Sequence, residues 1–361
     1  MSLRGAVVRV GKRFGKRIVS PLLDATGLFD RRLERILVAG TPWTILTYHR
    51  VIEDPSLDPL QMGMCIRSDR FAGQMAFLAK RFNVEPMASV VERLQQGRPL
   101  LPRTLSITID DGYQDNADHA FPLLAKLGVP ASLYVVTGGL ESPRAFWWDR
   151  VINAFDASRR RGSIDRAEFG MPAGPPLSLE PLHRTETIDH LLAHLWSIPH
   201  DRVMHTVDRI ETAMEPARAA ERFAPRMRAA TVASIATMGF ELGAHTVNHP
   251  NLTLLDRQAV QCELEESRDA LARLSGRPVT GFAYPAGHRN EAVEDAVRKA
   301  GFGYALSTCS GTNAVPLEPF ALRRIGAPDA PLSDFKRAMT RAMQSTAGPV
   351  TIVHEGSRPW R

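Results

Sequence analysis

The chain has 361 residues, 44% of them hydrophobic and 23% charged, which suits one large α/β domain with additions or two ordinary domains. Its net charge of +6 is local: Arg4, Arg9, Lys12, Arg13, Lys16 and Arg17 account for all of it, so residues 21–361 balance at zero and offer no distributed basic surface to a nucleic acid. Three widely spaced cysteines, Cys65, Cys262 and Cys309, fit neither a disulfide framework nor a cysteine-rich zinc site, and there is no apolar run of about 18 residues to span a membrane.

At the N-terminus, Leu3, Val7, Val10, Phe14 and Ile18 fall on one side of a helical wheel with Arg9, Lys12, Arg13 and Lys16 opposite. That is the pattern of a helix lying on an anionic membrane, weakened here by Gly5, Gly11 and Gly15. Residues 1–40 are therefore expected to form an amphipathic helical segment that either packs on the domain or touches a membrane surface through residues 1–20. No apolar stretch followed by a cleavage-like site is visible, so the expected location is the cytoplasm or the periphery of the inner membrane.

From about residue 43 short β-like runs alternate with longer helical ones, as parallel strands joined by crossover helices require. The segments "TILTY", "LSITI", "ASLYVVT", "FELGA", "GFAYP" and "GYALST" read as strands, and "SDRFAGQMAFLAKRF" and "RQAVQCELEESRDALARLSG" as helices, the second closing on Gly276. Between Trp148 and Met238 the rhythm breaks into helical segments, a Pro/Gly-rich piece and clustered arginines. The expected organisation is a domain over 43–345, interrupted by a helical insert at about 149–235, followed by a tail over 346–361.

In "TLSITIDDG", Leu105, Ile107 and Ile109 alternate with Thr104, Ser106 and Thr108, and Gly112 supplies a sharp turn. Asp110 and Asp111 thus lie together at a strand's carboxyl end, where a parallel barrel assembles chemistry. A cation makes the pair tolerable. "ELGAHTVNHP" ends another strand with His245 and places His249 one helical turn later, if the exit is a helical turn, so that two imidazoles face one metal. One aspartate and two histidines leave a position for water, which a divalent ion acidifies, and the other aspartate can take the proton. The same rim should receive His49 from "ILTYH" and the Pro285–Gly287 turn of "GFAYPAG", whose main-chain N–H groups suit an oxyanion. Four such strand ends specify hydrolysis of an acyl bond.

These pieces resemble the polysaccharide deacetylases, also known as carbohydrate esterase family 4 or the NodB homology domain. The resemblance covers roughly residues 43–345 apart from the insert, and it implies a distorted parallel (β/α) barrel with a helical insertion. "TIDDG" looks like the family's first motif, "HTVNH" like its second and "FAYPAG" like its third. Carried over, the likeness implies Asp110 as general base, Asp111, His245 and His249 as metal ligands, and the Ala286 N–H as oxyanion donor. The metal it implies is a divalent ion, usually Zn2+, and the substrate an N-acetylglucosamine-type polysaccharide or glycan. Two positions depart from the pattern: Ala283 stands where the family usually has an arginine and Ala286 where it has an aromatic. Arg324 of "ALRRIG" is the candidate replacement for the arginine, with Arg323 as the other. "LTYHRV" resembles a branch acting on exopolysaccharides in which the histidine acid comes from an N-terminal YH motif; His49 is then the general acid, and His354 of "TIVHEG" its competitor.

Blander readings stand beside these. "AFWWDR" is either a set of core aromatics or a sugar-stacking wall with Asp149 reaching the groove. His190 and His194 share the HxxxH spacing but belong to an amphipathic helix, and His119, His183, His200, His205 and His288 read as surface or hydrogen-bonded residues. As a whole, the chain reads as a metal-dependent sugar N-deacetylase. The alternatives are a catalytically silent glycan-binding protein, motivated by Ala283 and Ala286, and a scaffold held at a membrane by its basic N-terminus.

Overall fold

The structure is a computed structural model and describes residues 26–38, 42–54, 56, 63–141, 144–215, 225–314 and 316–344. The basic segment 1–20, the tail 346–361 and His354 lie outside the described residues.

Parallel strands close into a barrel in chain order: β1 (Thr44–Tyr48), β2 (Thr104–Ile109), β3 (Ser132–Val135), β4 (Glu241–Ala244), β5 (Gly281–Ala283), β6 (Tyr304–Ser310) and β7 (Leu322–Gly326). Closure is made by β1, which pairs with β2 over Thr44 to Tyr48 and with β7 through Leu46 and Thr47. The sequence does not announce β7, because "ALRRIG" has two adjacent arginines in place of apolar alternation.

Period-two alternation decides what each strand gives to each side. On β2, Leu105, Ile107 and Ile109 join the large outer core under the helices, while Ser106 and Thr108 bond inward to Trp43 Nε1 and Arg324. The interior is filled by Trp43, Ile45, Tyr134, Ala283, Tyr304, Leu306 and Leu322. The helix Met87–Gln95 closes the interior's far end with Met87, Val90 and Val91. Two glycines make room for the tyrosines: a Cβ on Gly243 would lie 2.3 Å from the Tyr134 ring, and one on Gly281 2.4 Å from the Tyr304 hydroxyl. Glu241, at the start of β4, accepts hydrogen bonds from Tyr304, Ser132 and the Ala88 N–H, so the buried polar atoms here are paired.

Outside the barrel lie the crossover helices α2 (Ser68–Arg81), α3 (Ala229–Thr237) and α4 (Arg257–Ser275), with α1 (Leu28–Val38) before the first strand and α5 (Leu332–Gln344) after the last. The last of these packs on α1 through the Lys336–Asp30 ion pair and shared apolar faces. Helix α4 starts at an Asp256 cap on the Ala259 N–H and ends at Gly276, whose φ of 65° is the left-handed stop that glycine permits.

Between β3 and α3 the chain builds a second core, drawn mainly from Phe146 to Met214 and joined by Tyr113 and Val136 from the barrel's segments. It comprises helices Trp147–Ala157, Arg184–Leu195 and His200–Met214 and a small antiparallel pair, Ser163–Ile164 with Leu177–Ser178. Arg184 is buried in it and donates to the carbonyls of Phe155 and Ser158, at the end of the first helix, and of Arg160 and Leu179 beyond it. Helix α3 instead gives Val232, Ile235 and Ala236 to the barrel's outer core. No described helix is long and apolar enough to cross a membrane.

Candidate active site

The carboxyl ends of the strands carry the predicted residues to one place. Beyond β2 the Asp110 N–H donates to the Tyr48 carbonyl, and the Gly112 N–H folds back onto the Asp110 carbonyl. Asp111, between them, is held at φ 74°, and Gly112 at 93°. A left-handed aspartate is uncommon and costs on the order of 1 kcal/mol or more, so the surrounding bonds must impose it. The Val136 N–H, donating to the Asp111 carbonyl, is one of them.

Beyond β4 the expected helical turn between His245 and His249 is absent. The chain leaves as a loop in which Thr246 (φ 67°) and His249 (φ 57°) are both left-handed, and the Thr246 hydroxyl accepts from the His249 N–H. This loop still brings the two imidazoles together: His245 Nε2 and His249 Nε2 are 3.1 Å apart. Asp111 Oδ1 lies 3.4 Å from the first and 3.7 Å from the second. All three side chains are buried.

These donors fit a divalent cation. His245 Nδ1 donates to the Ala283 carbonyl at 2.7 Å, which fixes the tautomer and leaves the Nε2 lone pair facing the cluster. Asp111 Oδ2 is buried without a hydrogen-bond partner, as a carboxylate awaiting a cation would be. Burial holds the His249 imidazole well below its ordinary pKa, with the His245 and His49 charges adding to the effect, so it stays neutral as a ligand must. Among the described residues this is the one cluster of metal-binding type, and neither His190 nor His194 belongs to it.

Asp110 is placed for a different task. Arg324 Nη1 donates to Asp110 Oδ1 at 2.8 Å and lies 2.7 Å from Oδ2, with the Thr47 and Thr108 hydroxyls within reach of the same nitrogen at 3.1 and 3.3 Å. The other end of the guanidinium is anchored by Nε on the Ser307 carbonyl. Burial pushes the Asp110 pKa up, but Arg324, then His245 and His49, outweigh it and hold the carboxyl below its ordinary range. Arg324 is buried inside the barrel, whereas Arg323, one residue earlier on β7, is half-buried and donates to the Ser310 carbonyl. Of the two candidates, therefore, Arg324 is the one that meets Asp110.

His49 and Ala286 line the same cleft of about 550 Å³ together with Asp110, Asp111, the two histidines and Arg324. Burial lowers the His49 pKa, against the opposing pull of Asp111 and Asp110. Ala286 sits at φ 49° in the Pro285–Gly287 turn, and Gly287 is forced there because a Cβ would lie 2.0 Å from Thr308 Oγ1.

The insert supplies a wall that the motifs do not mention. Trp148, Ile152, Leu192 and Trp196 line the cleft, with ring centroids of Trp148 and Trp196 at 4.5 and 5.4 Å from that of His249. Of "AFWWDR", Trp148 both lines the cleft and belongs to the insert's core. Asp149 does not reach the groove: it is buried and accepts a hydrogen bond from the Tyr113 hydroxyl, which in turn accepts one from Trp148 Nε1. Sequence reasoning missed Trp196, which lies just past the end of an ordinary amphipathic helix, and Asn251, whose Nδ2 donates to the Trp196 carbonyl and ties insert to loop.

A closed parallel barrel with this cluster on its carboxyl rim is a (β/α) barrel of the deacetylase type. Residues 192–305 match the family model described as polysaccharide deacetylase. Among solved structures it is similar to the Streptococcus pyogenes deacetylase PplD in complex with acetate (TM-score 0.56, 16% identity, 84% of this chain and 99% of that one). It is also similar to IcaB from Ammonifex degensii (TM-score 0.53, 16% identity, 85% and 98%). In sequence it is 25% identical over 150 residues to a poly-beta-1,6-N-acetyl-D-glucosamine N-deacetylase of Escherichia coli O157:H7. That match spans 38% of this chain but only 22% of the relative's length.

Proposed function

We propose that the protein is a divalent-metal-dependent sugar N-deacetylase acting on an N-acetylglucosamine-type polymer or glycan. The observation that carries this reading is the division of the adjacent aspartates: Asp110 paired with Arg324, and Asp111 turned to His245 and His249, in one cleft. The activity named for the Escherichia coli relative and the YH and FAYP segments support the polymer class.

Asp111, His245 and His249 would hold the ion, and one carboxylate oxygen with two imidazole nitrogens suits Zn2+. When bound, such an ion polarises the acyl carbonyl and acidifies a water. Asp110, kept ionised by Arg324, takes the proton of the attacking water. The Ala286 N–H receives the developing oxyanion, a contact of a kind worth about 3 kcal/mol. His49 gives a proton to the leaving sugar nitrogen as the C–N bond breaks, releasing acetate and the free amine. The indoles of Trp148 and Trp196 offer flat apolar faces to a sugar ring.

The test is acetate release from N-acetylglucosamine oligomers by metal-stripped protein with and without added Zn2+. Asp110→Asn should keep the ion and lose about 10² or more in turnover, while His245→Ala should lose the ion as well. Equal ion loss in both variants breaks the division of roles, and oligomer binding without any acetate release leaves a silent glycan-binding protein.

A further inference from the structure

We infer that Glu263 is a positioning residue that holds the loop between His245 and His249 in its ion-capturing shape, an inference that rests on the reading that those histidines and Asp111 bind an ion. Glu263 belongs to α4, a different element from the loop. Its buried Oε2 accepts from the main-chain N–H groups of Val247 (2.8 Å) and Asn248 (2.9 Å), and its Oε1 from Asn248 Nδ2 (2.7 Å). These contacts fall on the two residues midway between the imidazoles.

The loop needs such a hold. Two of its residues, Thr246 and His249, sit in the left-handed region, which side chains other than glycine adopt only where the surroundings impose it. The second grip is main chain: the N–H groups of Thr137 and Gly138 donate to the carbonyls of Thr246 and Val247. Gly138 allows that approach, since a Cβ there would lie 2.5 Å from the Val247 oxygen. Glu263 is thus the side chain that sets the loop against this fixed edge. Its own placement is otherwise unfavourable, a carboxylate on the apolar face of α4 among Val260, Leu264, Ser267 and Leu271. Charge-assisted bonds to N–H donors offset that burial only while the loop keeps its shape.

The experiment titrates metal-stripped wild type, Glu263→Ala, Glu263→Gln and His245→Ala with Co2+, following the visible absorption that reports ligand number and geometry. Glu263→Ala should bind about 10- to 100-fold more weakly with an altered band, the scale set by outer partners of metal-binding histidines. Glu263→Gln, whose amide oxygen still accepts both main-chain N–H groups, should stay within about threefold of wild type. If Glu263→Ala does not fold, Glu263→Asp, with its carboxylate drawn back by one methylene, should show the same weakening. Wild-type affinity and band in the folded Ala or Asp variant overturn the inference while leaving the ion site standing, provided His245→Ala loses Co2+. A wild-type protein that takes up no Co2+ overturns the reading beneath it and this inference together.

Discussion

At the scale of single residues, neighbouring side chains here are assigned opposite electrostatic tasks. Asp110 is an anion made comfortable by Arg324; Asp111 keeps one buried oxygen without a hydrogen-bond partner. A third buried carboxylate behaves differently again. Burial pushes Asp149 up to about 7, against the opposing pull of Arg50 and of the Tyr113 hydrogen bond. The folded chain therefore retains a proton that the unfolded chain releases above about pH 4, and the stability contributed by this group falls as pH rises towards 7. Asp149→Asn has no proton to lose and still accepts from Tyr113. Its melting temperature should gain on wild type between pH 4 and pH 8; a gap that stays constant across that range would show that Asp149 is already ionised in the fold.

At the scale of elements, the insert and the loop after β4 form one unit, with indoles over an imidazole and Asn251 bonded to the Trp196 carbonyl. Removing the Trp196 ring leaves that main-chain bond in place, so Trp196→Ala isolates the aromatic face. On the proposed reading KM for an oligomer rises roughly 2- to 10-fold with kcat nearly unchanged, the range of a single aromatic contact. A fall in kcat alone would mean that the ring serves His249 and not the sugar. The sequence made the strand ends legible because each acid or histidine follows an apolar run. It left Arg323 and Arg324 unresolved, because only the inward or outward phase of a strand separates them and "ALRRIG" does not read as one. Trp196, Asn251 and Glu263 were hidden for another reason: their partners lie on distant segments, and spacing along the chain carries no trace of them. Glu263 alone left a faint mark, an acid on the buried stripe of an amphipathic helix.

At the scale of the whole molecule, the barrel is a packed solid under an open rim. Its interior tolerates no added bulk where Gly243 meets Tyr134, so Gly243→Ala should destabilise the fold by about 1–3 kcal/mol or more. Chemical denaturation would check this, and an unchanged midpoint would mean that the Tyr134 ring can move aside. The same packing, with Met87, Val90 and Val91 stoppering the base, dictates traffic. Among the described residues these side chains fill the ring's interior, so the cleft holding the acids and imidazoles opens on the rim side. On the proposed reading, a long chain of sugars would be handled as a rope laid across a basin, touched one link at a time.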